Sequence, residues 1–112
     1  MVSTRQNKVA RLIQKELGNL FIHFTKSVYK NVIISANMVR VSPDLGLAKV
    51  YISIFPNDNI QEIFEYINAS KAQIRYELGS RTRHQLKKVP ELAFFLDDSY
   101  DYMENIENIL KD

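Results

Sequence analysis

From about Asn59 to about Arg83 the apolar residues recur at helical spacing, yet they do not line up as one stripe. Ile60, Ile63, Phe64 and Ile67 mark one helical face, and Ile74 and Leu78 mark another. The positions that should join them hold Ser70 and Lys71. Ala69, Ser70 and Ala72 are small enough to let two helices meet sharply with their backbones close. The pattern predicts a helix–kink–helix, with Ser70 as N-cap of the second helix. Lys71 and Arg75 lie one turn apart on that helix. Exposed amides at a helix start, beside fixed cations, form an anion site. An ordinary helical hairpin with a solvated charged face fits the same residues.

The rest of the chain arranges itself around this joint. Residues 4–24 predict an amphipathic helix, with Val9, Leu12, Ile13, Leu17, Leu20 and Phe24 on one side. Lys8, Arg11 and Lys15 fall opposite, with Arg5 near their edge, and Ser3 or Thr4 can cap the start. Residues 28–42 are rich in β-branched residues. Their apolar parity switches from Ile34, Ala36 and Met38 to Val39 and Val41, which predicts a bulge near Met38. Ser42-Pro43-Asp44-Leu45-Gly46 reads as a turn. Leu47–Phe55 alternates strictly, with Ala48, Val50, Ile52 and Ile54 on one face and Lys49, Tyr51, Ser53 and Phe55 on the other. These two strands should form an antiparallel hairpin, and Asn57 or Asp58 can cap the helix that follows.

Past the helical pair, Arg81, Arg83, Lys87 and Lys88 extend the positive charge to Pro90, which blocks further helix. Leu92, Phe94 and Leu96 alternate with Ala93, Phe95 and Asp97 as a third strand. A last helix is expected after Asp97-Asp98-Ser99, with Tyr102, Ile106, Ile109 and Leu110 on its apolar side and Asp101, Glu104 and Glu107 outside. The order α-β-β-α-α-β-α, three strands with helices on one face, predicts an α+β two-layer sandwich in a single domain. Tyr51, Phe55 and Phe95 would lie on the other sheet face, either stacking bases or half-buried.

The net charge of +2 hides a strong segregation. Residues 1–49 carry eight Lys/Arg against two Asp/Glu, and residues 71–88 carry six against one. Residues 50–70 carry three Asp/Glu and no cation, and residues 89–112 carry seven against one cation. Folded with one positive side, the chain would attract a phosphate backbone; opposite blocks that paired would cancel instead. No cysteine is present, so disulfides and thiolate zinc sites are excluded. No apolar run nears the ~20 residues of a membrane span. Met1–Arg11 is polar and basic, so no secretory signal is expected and the default location is the cytoplasm.

Catalytic chemistry is hard to assemble from this sequence. His23 and His84 lack a metal-binding partner at helical spacing. Asp97 and Asp98 are adjacent on a strand and so point to opposite faces. Gly18, Gly46 and Gly79 form no phosphate loop, and Ser42 has no nucleophile-elbow context. No enzyme activity, metal, cofactor or small-molecule substrate is expected.

Several stretches, taken in order, resemble the bacterial ribosome-binding factor A family over roughly residues 3–110. Arg11-Leu12-Ile13-Gln14-Lys15-Glu16-Leu17 is similar to its first helix. Val39-Arg40-Val41-Ser42-Pro43-Asp44-Leu45 with Ala48-Lys49-Val50-Tyr51-Ile52-Ser53 is similar to its hairpin, the most specific signal. Ile74-Arg75-Tyr76-Glu77-Leu78-Gly79, then Val89-Pro90-Glu91-Leu92-Ala93-Phe94 and Asp97-Asp98-Ser99, resemble its third helix, last strand and following turn. The resemblance implies a KH-like fold of the second type, α-β-β-α-α-β, in which an Ala-x-Gly kink replaces the GxxG loop. Here that kink aligns with Ser70-Lys71-Ala72, with alanine where the family has glycine. Gly79 to Pro90 is about two residues longer than the family pattern, near His84-Gln85. Family members are described as assembly factors that bind the immature small (30S) ribosomal subunit near the 5′ end of its 16S rRNA. They aid late maturation, notably in the cold, and leave before translation.

The expected function is therefore a monomeric RNA-binding factor. Lys71, Arg75, Arg81 and Arg83, with Arg5, Lys8, Arg11 and Lys15, would contact phosphates, and Lys87 and Lys88 complete the set. Charge reversal at Arg75 plus Lys71 should abolish particle binding and leave the fold unchanged. Two other readings stay open at this point: a KH-like module for another RNA or single-stranded DNA, and a protein-interaction module working through its acidic last helix.

Overall fold

The computed structural model describes residues 2–27 and 29–97. The chain runs α1 (Thr4–Ser27), β1 (Ile33–Val41), β2 (Leu47–Phe55), a 3-10 turn (Asn57–Asn59), α2 (Ile60–Ala69), α3 (Lys71–Thr82) and β3 (Glu91–Leu96). This is the predicted α+β sandwich of KH type, three helices against one face of a three-stranded sheet. The helix expected from Tyr102, Ile106, Ile109 and Leu110, with its acidic Asp101, Glu104 and Glu107, lies outside the described residues.

β2 occupies the centre of the sheet, order β1-β2-β3. It pairs antiparallel with β1 and parallel with β3. A parallel return needs a long crossover, which α2 and α3 supply. Val50 and Ile52 of β2 are completely buried, as a central strand's inward residues should be. Burying each contributes about 1.5–3 kcal/mol. The predicted bulge is present between Ala36 and Met38. It turns Met38 outward, away from the face occupied by buried Ile34 and Val39.

α1 starts with a reciprocal cap. The Gln6 backbone N–H donates to Ser3 Oγ (3.1 Å) and the Ser3 N–H donates to Gln6 Oε1 (2.9 Å). Gln6 is itself buried, and its Nε2 donates to the Val41 carbonyl at 2.8 Å, tying the cap to the end of β1. Two turns further in, Gln14 Nε2 donates to the Ala36 and Asn37 carbonyls of the bulge (3.0 and 3.1 Å). Of the predicted apolar stripe, Val9, Ile13, Leu17 and Leu20 are buried, while Leu12 and Phe24 are only half-buried. Phe21, outside that stripe, is fully buried with its ring 6.3 Å from that of Phe94. α1 packs against both β1 and α3, so its buried arc is wider than a single-partner stripe.

Two local expectations are corrected in part. Ser70 occupies the N-cap position of α3, as predicted, but its hydroxyl makes no capping hydrogen bond. Its backbone holds the joint instead: its N–H donates to the Tyr66 and Ile67 carbonyls (3.0 and 3.1 Å), and its carbonyl accepts from the Ile74 N–H (2.9 Å). The 3-10 turn moves the N-cap position of α2 from the expected Asn57 or Asp58 to Asn59, which makes no side-chain cap. The hairpin turn falls at Ser42–Gly46 as predicted, with Leu45 in the left-handed conformation at φ 61°. A Cβ at Gly46 would sit 3.3 Å from the Asp44 carboxylate oxygens and would press on the turn.

Candidate nucleic-acid interface

Arg5, Lys8, Arg11 and Lys15 are all exposed on α1, as their opposition to the buried stripe requires. α3 lies beside α1 and carries Lys71 half-buried at its first residue, Arg75 half-buried one turn on, and exposed Arg81 near its end. Arg83, just past α3, and Lys87 and Lys88 in the segment before β3 are exposed. The basic candidates therefore fall on two adjacent helices and the loop that leaves the second. Among the described residues none of these cations forms a salt bridge.

The carboxylates nearest the turn and on α3 have other partners. Asp44 accepts from the Ser42 hydroxyl (2.6 Å) and the Gly46 N–H (3.0 Å), and these hydrogen bonds hold its pKa below the ordinary carboxylate value. Glu77 accepts from Gln73 Nε2 at 3.1 Å. On the far sheet face, Tyr51 and Phe95 stack on each other with centroids 5.4 Å apart. Phe55 and Ile33 pair across the strands beside them and are both well exposed. The aromatics lie on the face the alternation predicts, though Tyr51 and Phe95 each spend one ring face on the other. Asp97 fits a strand end: its N–H donates to the Ile52 carbonyl (2.7 Å) and its carboxylate accepts from Asn37 Nδ2 (2.7 Å).

Arg75 has a structural partner that its sequence position did not reveal. Its Nη2 donates to the Val89 carbonyl at 2.7 Å and its Nε to the Pro90 carbonyl at 3.2 Å. A guanidinium has five N–H donors, so the side chain is pinned and still has hydrogen-bonding capacity left. The same segment is secured elsewhere. The Gln85 and Leu86 N–H groups both donate to the Thr82 carbonyl (2.9 Å each), Pro90 is buried, and Gly79 lets Val89 approach so closely that a Cβ would stand 3.2 Å from its Cγ2. The stretch around His84-Gln85 is thus folded back onto the end of α3. Arg75 latches the loop that presents Arg83, Lys87 and Lys88. Reversing its charge would disturb the fold, contrary to the expectation of a clean double reversal with Lys71.

Along α3 and beside that loop runs an open cleft of about 560 Å³, lined by Ala72, Arg75, Tyr76, Gly79, Ser80, Arg83 and Val89. Tyr76 is 75% exposed in it. Tyr76 is the residue that periodicity passes over, although its signal is present. It is a large aromatic placed off the Ile74–Leu78 line, on a helix with little apolar face of its own. Among the described residues no three His, Cys, Asp or Glu side chains gather as a metal site, and both His23 and His84 are exposed.

The fold and the cations gathered on α1, α3 and the following loop define a KH-like module with a basic helical side. Residues 5–110 match the family model described as Ribosome-binding factor A. The chain is 42% identical over 110 residues to the ribosome-binding factor A of Christiangramia forsetii, covering 97% of this chain and 84% of that one. It is 43% identical over 111 residues to that of Flavobacterium psychrophilum, covering 98% and 85%. The chain belongs to the ribosome-binding factor A family. The fold matches the crystal structure of ribosome-binding factor A from Thermus thermophilus with a TM-score of 0.65 at 14% identity, over 81% of this chain and 94% of that one. It also matches a homology model of the Thermus thermophilus factor fitted into the cryo-EM map of a 30S complex, with a TM-score of 0.61 at 15% identity, over 88% and 97%.

Proposed function

We propose that this protein is a ribosome assembly factor that binds RNA of the immature small ribosomal subunit. It contacts 16S rRNA near the 5′ end, assists late maturation, including in the cold, and leaves before translation begins. It works in the cytoplasm as a monomeric single domain, without catalysis or cofactor. The observation that carries this reading is the set of cations on α1, α3 and the loop after α3 that form no salt bridge among the described residues, within a chain of this family. Such a set suits phosphate contacts. The structural neighbour fitted into the map of a 30S complex supports the same partner.

Exposed Arg5, Lys8, Arg11, Lys15, Arg81, Arg83, Lys87 and Lys88 take phosphates directly. Lys71 contributes from the start of α3. Arg75 contributes chiefly by holding the loop in place, with its spare donors available to a phosphate. Ser70, Lys71 and Ala72 shape the approach of RNA to α3.

Sucrose-gradient sedimentation of a cell extract tests the reading. The protein should travel with free small subunits and be absent from translating ribosomes. Co-migration with polysomes, or no migration with either, refutes it. Competition by unrelated single-stranded RNA or DNA at equal strength would favour a general KH-like binder instead.

A further inference from the structure

We infer that Tyr76 is a stacking platform for an unpaired nucleobase, with Arg83 receiving the adjoining phosphate. This rests on the RNA-binding reading above and names the contact made inside the α3 cleft. A single exposed aromatic on a surface needs no explanation. Tyr76 differs because it lines an open cleft together with two arginines. Arg75, Tyr76, Gly79, Ser80 and Arg83 share one side of α3, since their helical positions span about 140° at 100° per residue. Arg83 keeps helical backbone angles (φ −56°, ψ −27°), so it lies two turns from Tyr76 on nearly the same line, at ~10 Å along the axis for ~1.5 Å per residue. Between them stand Gly79, whose missing side chain lets Val89 close against the helix, and Ser80.

The second wall is rigid. Val89 sits close against Gly79, and the Arg75 guanidinium is fixed by the Val89 and Pro90 carbonyls. The cleft, about 560 Å³, is open to solvent, so a base can reach the ring face from outside. The lining carries two arginines and no Asp or Glu, which favours a ligand that is both aromatic and anionic. A nucleotide in single-stranded RNA has both properties. A-form duplex keeps its bases stacked on one another and offers no free base face to an aromatic ring. The occupant is thus a nucleotide of unpaired RNA.

The chain has no tryptophan, so Tyr76→Trp installs a single indole in the cleft. Three probes are titrated: immature small subunits, a single-stranded RNA 12-mer, and the same 12-mer annealed to its complement. Indole emission should be quenched by the first two and unaffected by the duplex. Tyr76→Ala should weaken binding to the single strand on the order of 10-fold, as loss of one base–aromatic stack does. Tyr76→Phe should bind as wild type, because the ring face does the stacking and not the hydroxyl. The salt dependence of Tyr76→Ala should match wild type, since no phosphate contact is lost.

Particle binding with unchanged indole emission, and with full affinity in Tyr76→Ala, overturns the stacking role while leaving the ribosomal reading intact. If the wild-type chain does not bind the particle, that broader reading fails, and the single-stranded 12-mer decides the stacking role alone. Quenching by it sustains the platform, and no quenching overturns it. Stronger quenching by duplex than by single strand also overturns it.

Discussion

Replacing Arg75 separates two roles that one guanidinium can play. Arg75→Ala removes the hydrogen bonds to Val89 (2.7 Å) and Pro90 (3.2 Å) and leaves both carbonyls in a half-buried setting. Hydrogen bonds to charged groups contribute about 1.5–3 kcal/mol each, and the longer bond sits at the bottom of that range. Water can reach a half-buried site and recover part of the loss. The expected destabilisation is about 2–3 kcal/mol. For a domain of this size each kcal/mol lowers Tm by about 4 °C, so the midpoint should fall by about 10 °C. Arg75→Lys keeps the charge but offers a single-point ammonium in place of a planar fork, so it should recover less than half of the loss. Urea unfolding gives the free energies, and amide exchange over residues 83–90 should show the opening concentrated there. Unfolding of Arg75→Ala within about 0.5 kcal/mol of wild type, with Arg75→Lys binding RNA normally, would refute the latch and return Arg75 to a simple phosphate contact.

Three further outcomes follow from the geometry. Lys8→Glu with Arg11→Glu, both exposed on α1, should leave the unfolding midpoint unchanged and lower affinity for small subunits, with the salt slope reduced by about 2; measuring affinity between 50 and 200 mM salt checks it, and the wild type should lose on the order of 10³-fold across that range. Gln6→Leu breaks the reciprocal cap and the buried bond to Val41, and should cost about 2 kcal/mol in urea unfolding, whereas Gln14→Leu, whose partners at the bulge are more exposed, should cost less than half as much. The Asp44 pKa is lowered first by the Ser42 hydroxyl and then by the Gly46 N–H. A depressed folded-state pKa adds stability above the unfolded value, near 4, and that stability is lost as pH falls through the folded value. Unfolding followed from about pH 6 to about pH 2 should show this acid limb in wild type and a flatter one in Asp44→Asn.

The strands were legible because their signal is local. Strict alternation from Leu47 to Phe55 has period two, and only one face of a sheet can be buried when helices cover it and leave the other open. The parity switch near Met38 located the bulge for the same reason. The break at Ser70 was legible because two helical stripes failed to merge. The caps were less so. A serine at a helix start can satisfy an amide with its hydroxyl or leave the task to backbone groups, and at Ser70 the backbone bonds to Tyr66, Ile67 and Ile74 settled the matter. Phe21 was passed over because a one-stripe projection assumes one partner, and α1 has more than one.

Charge segregation, strand alternation and the interrupted helix are properties of neighbours along the chain, and they sufficed to place basic residues on outward positions of a small α+β layer fold. Whether a given cation stays available was decided only in three dimensions. Arg75 lies fourteen and fifteen residues from the carbonyls that hold it, and no local spacing reports that distance closed. The cleft around Tyr76 likewise exists because Val89 returns to α3 at a residue that lacks a side chain. Periodicity measures which way a side chain points; only packing measures what it meets there.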